Sequence, residues 1–126
     1  MRIFKYMSIG GLMRILIKVL KALADETRLR ILKILHEKDE LCVCEIMQVL
    51  DISQTRASRN LNILKDVGFV KDRRDGLWVY YSINHEKINE FHLKLNELIK
   101  QWLNDEKIIE EDRKKLKSVV KCNIKK

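Results

Sequence analysis

Two cysteines one residue apart, in Glu40-Leu41-Cys42-Val43-Cys44-Glu45-Ile46, are the residues of this chain best suited to chemistry. A pair of thiolates grips thiophilic ions such as arsenic(III), antimony(III), cadmium, lead and zinc, and the same pair can be oxidised or persulfidated. In a continuous helix, side chains two positions apart diverge by about 200°. Cys42 and Cys44 can therefore share a ligand only where the backbone is extended or a helix ends. Leu41 to Cys44 reads as extended, followed by a short helix from Glu45 to Leu50. The plain alternative is that one or both pack as small apolar residues. A third thiol, Cys122, lies in a lysine-rich tail where Lys121, Lys125 and Lys126 favour its thiolate. It joins Cys42 and Cys44 as a candidate metal ligand, reached across a dimer, against the simpler reading of an exposed thiol.

The elements around the pair follow from periodicity and caps. Leu12, Ile15, Leu16, Val19, Leu20 and Leu23 form one helical face. Asp25 reads as the N-cap of a second helix, Glu26 to about Glu37, and Ser53 as the cap of another, Gln54 to about Val67, closed by Gly68. Phe69–Arg73 and Trp78–Ile83 are β-prone runs around Arg74-Asp75-Gly76-Leu77, a hairpin signal. A long helix is expected from about Glu86 to Leu103, with Ile88, Phe91, Leu95, Leu98 and Trp102 as a heptad-like seam, and a last helix from Asp105 to Val120. Residues 1–12 read as an N-terminal extension without required order, 13–104 as the main domain, and 105–126 as a C-terminal helix and basic tail.

Helix, short helix, turn, helix and hairpin make a mainly α winged helix-turn-helix. The turn Leu50-Asp51-Ile52-Ser53 sets two helices at an angle and presents the second to a DNA groove. Its polar start, Gln54, Thr55, Arg56, Ser58, Arg59 and Asn60, carries side chains that read base edges. Ser53 suits a phosphate, and Lys71, Arg73 and Arg74 in the hairpin reach backbone phosphates or a minor groove. The competing interpretation is an ordinary polar helix face and a solvated turn.

The net charge of +8 does not carry this argument. Residues 1–24 hold five basic residues and 113–126 seven, with no acid in either, whereas 25–112 hold fourteen basic and eighteen acidic residues. Basic ends add non-specific phosphate affinity at most. Three cysteines are too few for a disulfide framework, and a reduced, cytoplasmic setting fits them. Ala22-Leu23-Ala24 has the form of a signal-peptidase site, but Arg14, Lys18 and Lys21 interrupt the apolar core it needs. No uncharged run approaches the roughly 18 residues of a membrane span, so no membrane partner is expected.

Four stretches carry a family resemblance. Ala22-Leu23-Ala24-Asp25-Glu26-Thr27-Arg28-Leu29-Arg30-Ile31-Leu32 resembles the second-helix signature of the ArsR/SmtB winged-helix repressors. The segment around Cys42 and Cys44 is similar to the metalloid box of their arsenic-responsive branch. Ser53 to Leu61 and Asp72 to Tyr81 resemble the recognition helix and wing, so the likeness runs from about Leu20 to Ile83. It implies a homodimer built on the first and fifth helices, which holds operator DNA when ligand-free and releases it on binding a toxic ion. It further implies no cofactor for DNA binding, an inducer of the As(III)/Sb(III) kind before cadmium, lead or zinc, and no organic substrate. Two departures stand out. Met47 occupies the position of a third cysteine, and a thioether poorly replaces a thiolate; Asn60 stands where histidine is common.

The family's other regulatory site needs an Asp-x-His pair with a downstream histidine, which His85, Glu86, Glu90, His92 and Glu97 do not reproduce. His85 is expected to cap or face solvent, His92 to lie at the surface or an interface, and His36 to lack a partner. A redox-switched or a constitutive winged-helix DNA binder remains an alternative. An enzyme is the weakest reading, with no phosphate-cradling glycine loop and no supported nucleophile–base set.

Overall fold

The computed structural model describes residues 10–119; Cys122 and the expected end of the last helix at Val120 lie outside them. Six helices and a three-stranded antiparallel sheet follow in order: α1 Gly10–Leu23, α2 Glu26–Glu37, β1 Leu41–Cys42, α3 Val43–Leu50, α4 Gln54–Asp66, β2 Val70–Asp75, β3 Trp78–Ile83, α5 His92–Gln101 and α6 Lys107–Leu116. The sheet order is β1-β3-β2. This is the expected mainly α, winged helix-turn-helix architecture.

Local chemistry fixes the helix starts. The Asp25 carboxylate accepts from the Arg28 backbone N–H at 3.0 Å, and Ser53 Oγ accepts from the Arg56 N–H at 3.1 Å, each satisfying an otherwise orphaned donor. Ile31 and Leu32 of α2, Ile46 and Val49 of α3, and Leu61 and Leu64 of α4 meet with Leu41 and Phe69 in a solvent-free core. Each such side chain contributes about 1.5–3 kcal/mol of burial. Gly68 ends α4 with φ +94°, and a Cβ there would lie 3.1 Å from the His92 ring, so glycine is required on both counts. The hairpin turn is tighter than expected: Asp75 pairs with Trp78, leaving only Gly76 (φ +63°) and Leu77 to turn the chain.

The expected long helix from Glu86 is a shorter one. α5 begins at His92 because Asn84 and Asn89 capture the preceding backbone instead. Asn84 donates to the Gly68 and Glu86 carbonyls and accepts from the Glu86 N–H. Asn89 donates to Val67 O at 2.7 Å and accepts from the Phe91 and His92 N–H groups. His92, placed at the surface by its sequence position, is fully buried, with Nε2 accepting from the Ile88 N–H at 2.8 Å and its ring edge-on to Phe69. His85 is exposed, as expected. α6 packs on α2 and α3, held by a bidentate Arg30–Asp112 pair at 2.8 Å.

Burial lowers the pKa of both His36 and His92, with Asn96 opposing it at His36 and a backbone contact at Glu86 opposing it at His92. The unfolded chain therefore takes up protons near the ordinary histidine value of about 6.5, and the native state only at lower pH. Stability is held above that pH and falls on acidification, by up to about 1.4 kcal/mol per pH unit per histidine. Urea unfolding at pH 7 and pH 5 checks this: an unchanged midpoint contradicts it.

Among the described residues, one face of α1 finds no cover. Val19 and Ala22 are buried, but Leu12, Met13, Ile17 and Leu20 are 45–68% exposed. Ile88, Leu93, Leu98, Trp102 and Leu103, around α5, are exposed as well, so part of the expected seam faces outward while Phe91 and Leu95 lean on the core. No helix among the described residues is long and apolar enough to cross a membrane.

Candidate metal site and nucleic-acid interface

Cys42 ends β1 and is the N-cap of α3, so the extended backbone expected of the pair stops there; Cys44 is helical, in the first turn. The two flank a helix start, one of the arrangements that lets side chains two apart face a common space. Both line a cleft of about 240 Å³ together with Met47, Gln54, Leu77 and Trp78. That cleft joins the thiol pair to the first residue of α4 and to the hairpin tip.

The electrostatics at Cys42 are mixed. It is 1% exposed, and burial pushes its thiol up from the ordinary range. The Glu45 backbone N–H opposes this, the Glu45 carboxylate reinforces it, and the Cys44 N–H favours the thiolate. Glu45 Oε1 accepts from the Cys42 backbone N–H at 2.9 Å, the return half of a capping box. The Gln48 amide lies 3.4 Å from Cys44 Sγ, and Cys44 is disulfide-bonded. Reduction must therefore precede any ligand that uses both thiols. Among the described residues no group of three or more His, Cys, Asp or Glu side chains is placed to hold a metal ion.

The thiol pair is stitched into the hairpin. β1 pairs with β3, Leu41 opposite Tyr81 and Cys42 opposite Tyr80. Glu40 receives two hydrogen bonds from Arg73, at 2.7 and 2.8 Å, and the Arg73 guanidinium lies 4.6 Å over the Tyr80 ring. Arg73 thus braces the cysteine segment, a role its sequence position did not reveal, while Lys71 and Arg74 stand exposed on the same strand. On the other side, α3 passes through Asp51, in the left-handed region at φ +56°, to the Ser53 cap of α4.

On α4, Gln54, Thr55, Arg56 and Arg59 are exposed and Ser58 is half-buried. Asn60 differs from its expected place on the reading face. It is 5% exposed, accepting from Arg28 Nη1 at 2.9 Å and donating to Arg56 O at 2.9 Å. Asn62, overlooked in the sequence, is exposed two turns beyond Thr55 and extends the polar stripe; the seven-residue spacing was the available signal. Arg56 also reaches Thr27 Oγ1 at 3.0 Å.

Comparison with known proteins adds independent findings. The family model described as bacterial regulatory protein, arsR family, matches residues 25–72. The chain is 43% identical over 90 residues to the arsenic resistance transcriptional regulator ArsR2 of Pseudomonas putida, spanning 69% of this chain and 78% of that protein. It is 41% identical over 73 residues to the cadmium resistance transcriptional regulatory protein CadC homolog of Staphylococcus aureus, spanning 58% of this chain and 60% of that relative. In fold it is similar to the solved homodimeric winged helix-turn-helix DNA-binding domain of a Mycobacterium bovis protein, with a TM-score of 0.61 and 34% identity over 76% of this chain and 86% of that one.

Proposed function

This chain belongs to the ArsR family of bacterial regulatory proteins, and on that footing we propose that it is a homodimeric repressor that leaves its operator when a thiophilic ion binds Cys42 and Cys44. Members of the family are DNA-binding transcriptional regulators, not enzymes. The observation that carries the proposal is the shared cleft of Cys42, Cys44, Gln54 and Trp78. A single ligand there presses at once on the thiol pair, the start of the recognition helix and the hairpin.

The steps follow from the connections. Drawing both sulfurs onto one ion reshapes the first turn of α3. Because Cys42 is hydrogen-bonded into the sheet and Glu40 is clamped to Arg73, the wing moves with it. Because α3 leads to Ser53 through one left-handed residue, the start of α4 shifts as well. Gln54, Thr55, Arg56, Ser58 and Arg59 then lose their register on the groove, and Lys71 and Arg74 their phosphates. Arsenite or antimonite is the inducer the thiol set favours, ahead of cadmium, lead and zinc. Met47 is a weak third donor in the cleft, and Cys122 is the proposed third thiolate. DNA binding itself needs no cofactor, membrane or organic substrate, and the cytoplasm is the proposed setting. The exposed apolar faces of α1 and α5 supply the dimer surface.

The inducers separate by pH. Cadmium must displace thiol protons, whereas arsenous acid releases water on condensing with thiols. Since burial raises the Cys42 thiol, cadmium affinity should climb as pH rises toward the thiol range, by about tenfold per pH unit for each proton released. Arsenite affinity should stay nearly flat. Release titrations at pH 6.5 and 8 measure both; a flat cadmium response argues against thiolate ligation.

A second reading has its own support. The disulfide at Cys44 favours a thiol-redox repressor of the same fold. Release reversed by a phosphine reductant, which offers no thiol to an ion, supports it, and release reversed by a dithiol chelator but not by the phosphine supports the ion.

A further inference from the structure

We propose that Arg28 and Asn60 are positioning residues that fix the recognition helix relative to the dimerisation helix and so set the half-site spacing the repressor accepts. The proposal rests on the DNA-binding reading above. Arg28 ties together three elements. From α2 it donates through Nε to Ala22 O at 2.6 Å and through Nη2 to Lys21 O at 3.2 Å, the last turn of α1. Its remaining nitrogen, Nη1, donates to Asn60 Oδ1 at 2.9 Å on α4. Asn60 is almost wholly buried and passes the tie on to the Arg56 carbonyl.

The apolar packing of Val19 and Ala22 fills only part of this junction. A cleft of about 210 Å³ lies between α1 and α4, lined by Lys18, Ala22, Arg28, Ile63 and Val67 among others. The polar tie spans the same junction, so the separation of the two helices depends on it. α1 also carries the exposed apolar face that a second copy would cover. Fixing α4 to α1 therefore fixes α4 to the dimer axis. In a dimer that reads two half-sites, that distance determines which spacing fits.

The test uses the full-length reduced protein and its own promoter fragment, with the half-site separation left native or changed by one base pair either way. The unaltered chain should discriminate among the three. Asn60→Ala and Arg28→Gln should each lose about tenfold in affinity for the native spacing and flatten the preference. Their affinity for unrelated DNA and the slope of affinity against salt should not change, because no phosphate contact is lost. Asn60→Asp, which keeps an oxygen toward Arg28, should restore the spacing preference. Three results would overturn the assignment. A changed preference for one base, with spacing intact, would make Asn60 a base reader. Equal losses on operator and unrelated DNA would make the tie merely structural, and a preference untouched in both variants would make it idle. An unaltered chain that binds none of the fragments would instead overturn the repressor reading itself.

Discussion

Reduced protein carrying Cys42→Ser or Cys44→Ser should bind its operator as the unaltered chain does, yet stay bound at arsenite concentrations that release the latter. The substitution changes one atom of similar size, so the fold should persist at a cost of about 1 kcal/mol. Serine is itself a favoured N-cap and can take the place of Cys42 above the α3 backbone. A hydroxyl is a hard donor that stays protonated, so it cannot replace a thiolate toward a soft ion. Losing one of two thiolates should raise the inducer concentration for half-release on the order of a hundredfold. Cys122→Ser separates a third ligand, costing tenfold or more, from a bystander, costing nothing. Variants that release as readily as the unaltered chain would remove Cys42 and Cys44 from the sensor. Fluorescence anisotropy of labelled operator follows every arm.

The second large effect is on stability, at a position away from the cleft. Lys33→Met should destabilise the fold by about 2–3 kcal/mol and lower the melting temperature by about 10 °C. Lys33 is 4% exposed, and its ammonium sits against the carbonyls of Ile99, Lys100 and Trp102 and the Asn104 side-chain oxygen, at 2.5–3.1 Å. The three carbonyls lie at the C-terminus of α5, where helix geometry leaves acceptors under-satisfied; Ile99 O takes only the Trp102 N–H besides. Leu103, next in the chain, holds a left-handed φ of +67°, a strained conformation for a branched residue that its surroundings must enforce. Methionine fills the same volume without a donor, so all four acceptors lose the ammonium and the corner into α6 loosens. Differential scanning calorimetry measures the shift; a melting temperature within 2 °C, on the scale of a neutral surface change of about 0.5 kcal/mol, would show that water replaces the ammonium.

How far the sequence reveals this molecule depends on whether the deciding contacts are local. Asp25 and Ser53 announce the starts of α2 and α4 because each bonds a backbone N–H three residues on. The core face of α4 is equally plain, since Leu61 and Leu64 obey helical periodicity. The start of α5 is hidden. Ile88 and Phe91 keep a helical step, but Asn84 and Asn89 bond to Gly68 and Val67, about twenty residues upstream, and unwind the stretch. The burial of Asn60 is hidden for the same reason: its partner Arg28 lies 32 residues upstream.

The thiol site divides along the same line. The pair and its place before the recognition helix are legible in the spacing of Cys42 and Cys44. The requirement for a helix end is also legible, although the helix begins at Val43 and takes in Cys44. The brace from Arg73 to Glu40 is not, because it joins residues 33 positions apart through the hairpin fold. Nor does the chain order show that Gln54 and Trp78 share a cleft with the thiols. Those two contacts connect the pair of cysteines to the hairpin and to the start of α4.

Ion sensing at Cys42 and Cys44 stands or falls on arsenite titrated into the fully reduced protein bound to labelled DNA from its own promoter. Antimonite, cadmium, lead and zinc are run in parallel, and a chelator is added at the end of each. Release is expected from the arsenic or antimony species at the lowest concentration, reversed by a dithiol chelator and lost in Cys42→Ser and Cys44→Ser. A complex that stays fully bound through every ion, and dissociates only when the thiols are oxidised, would rule out ion sensing.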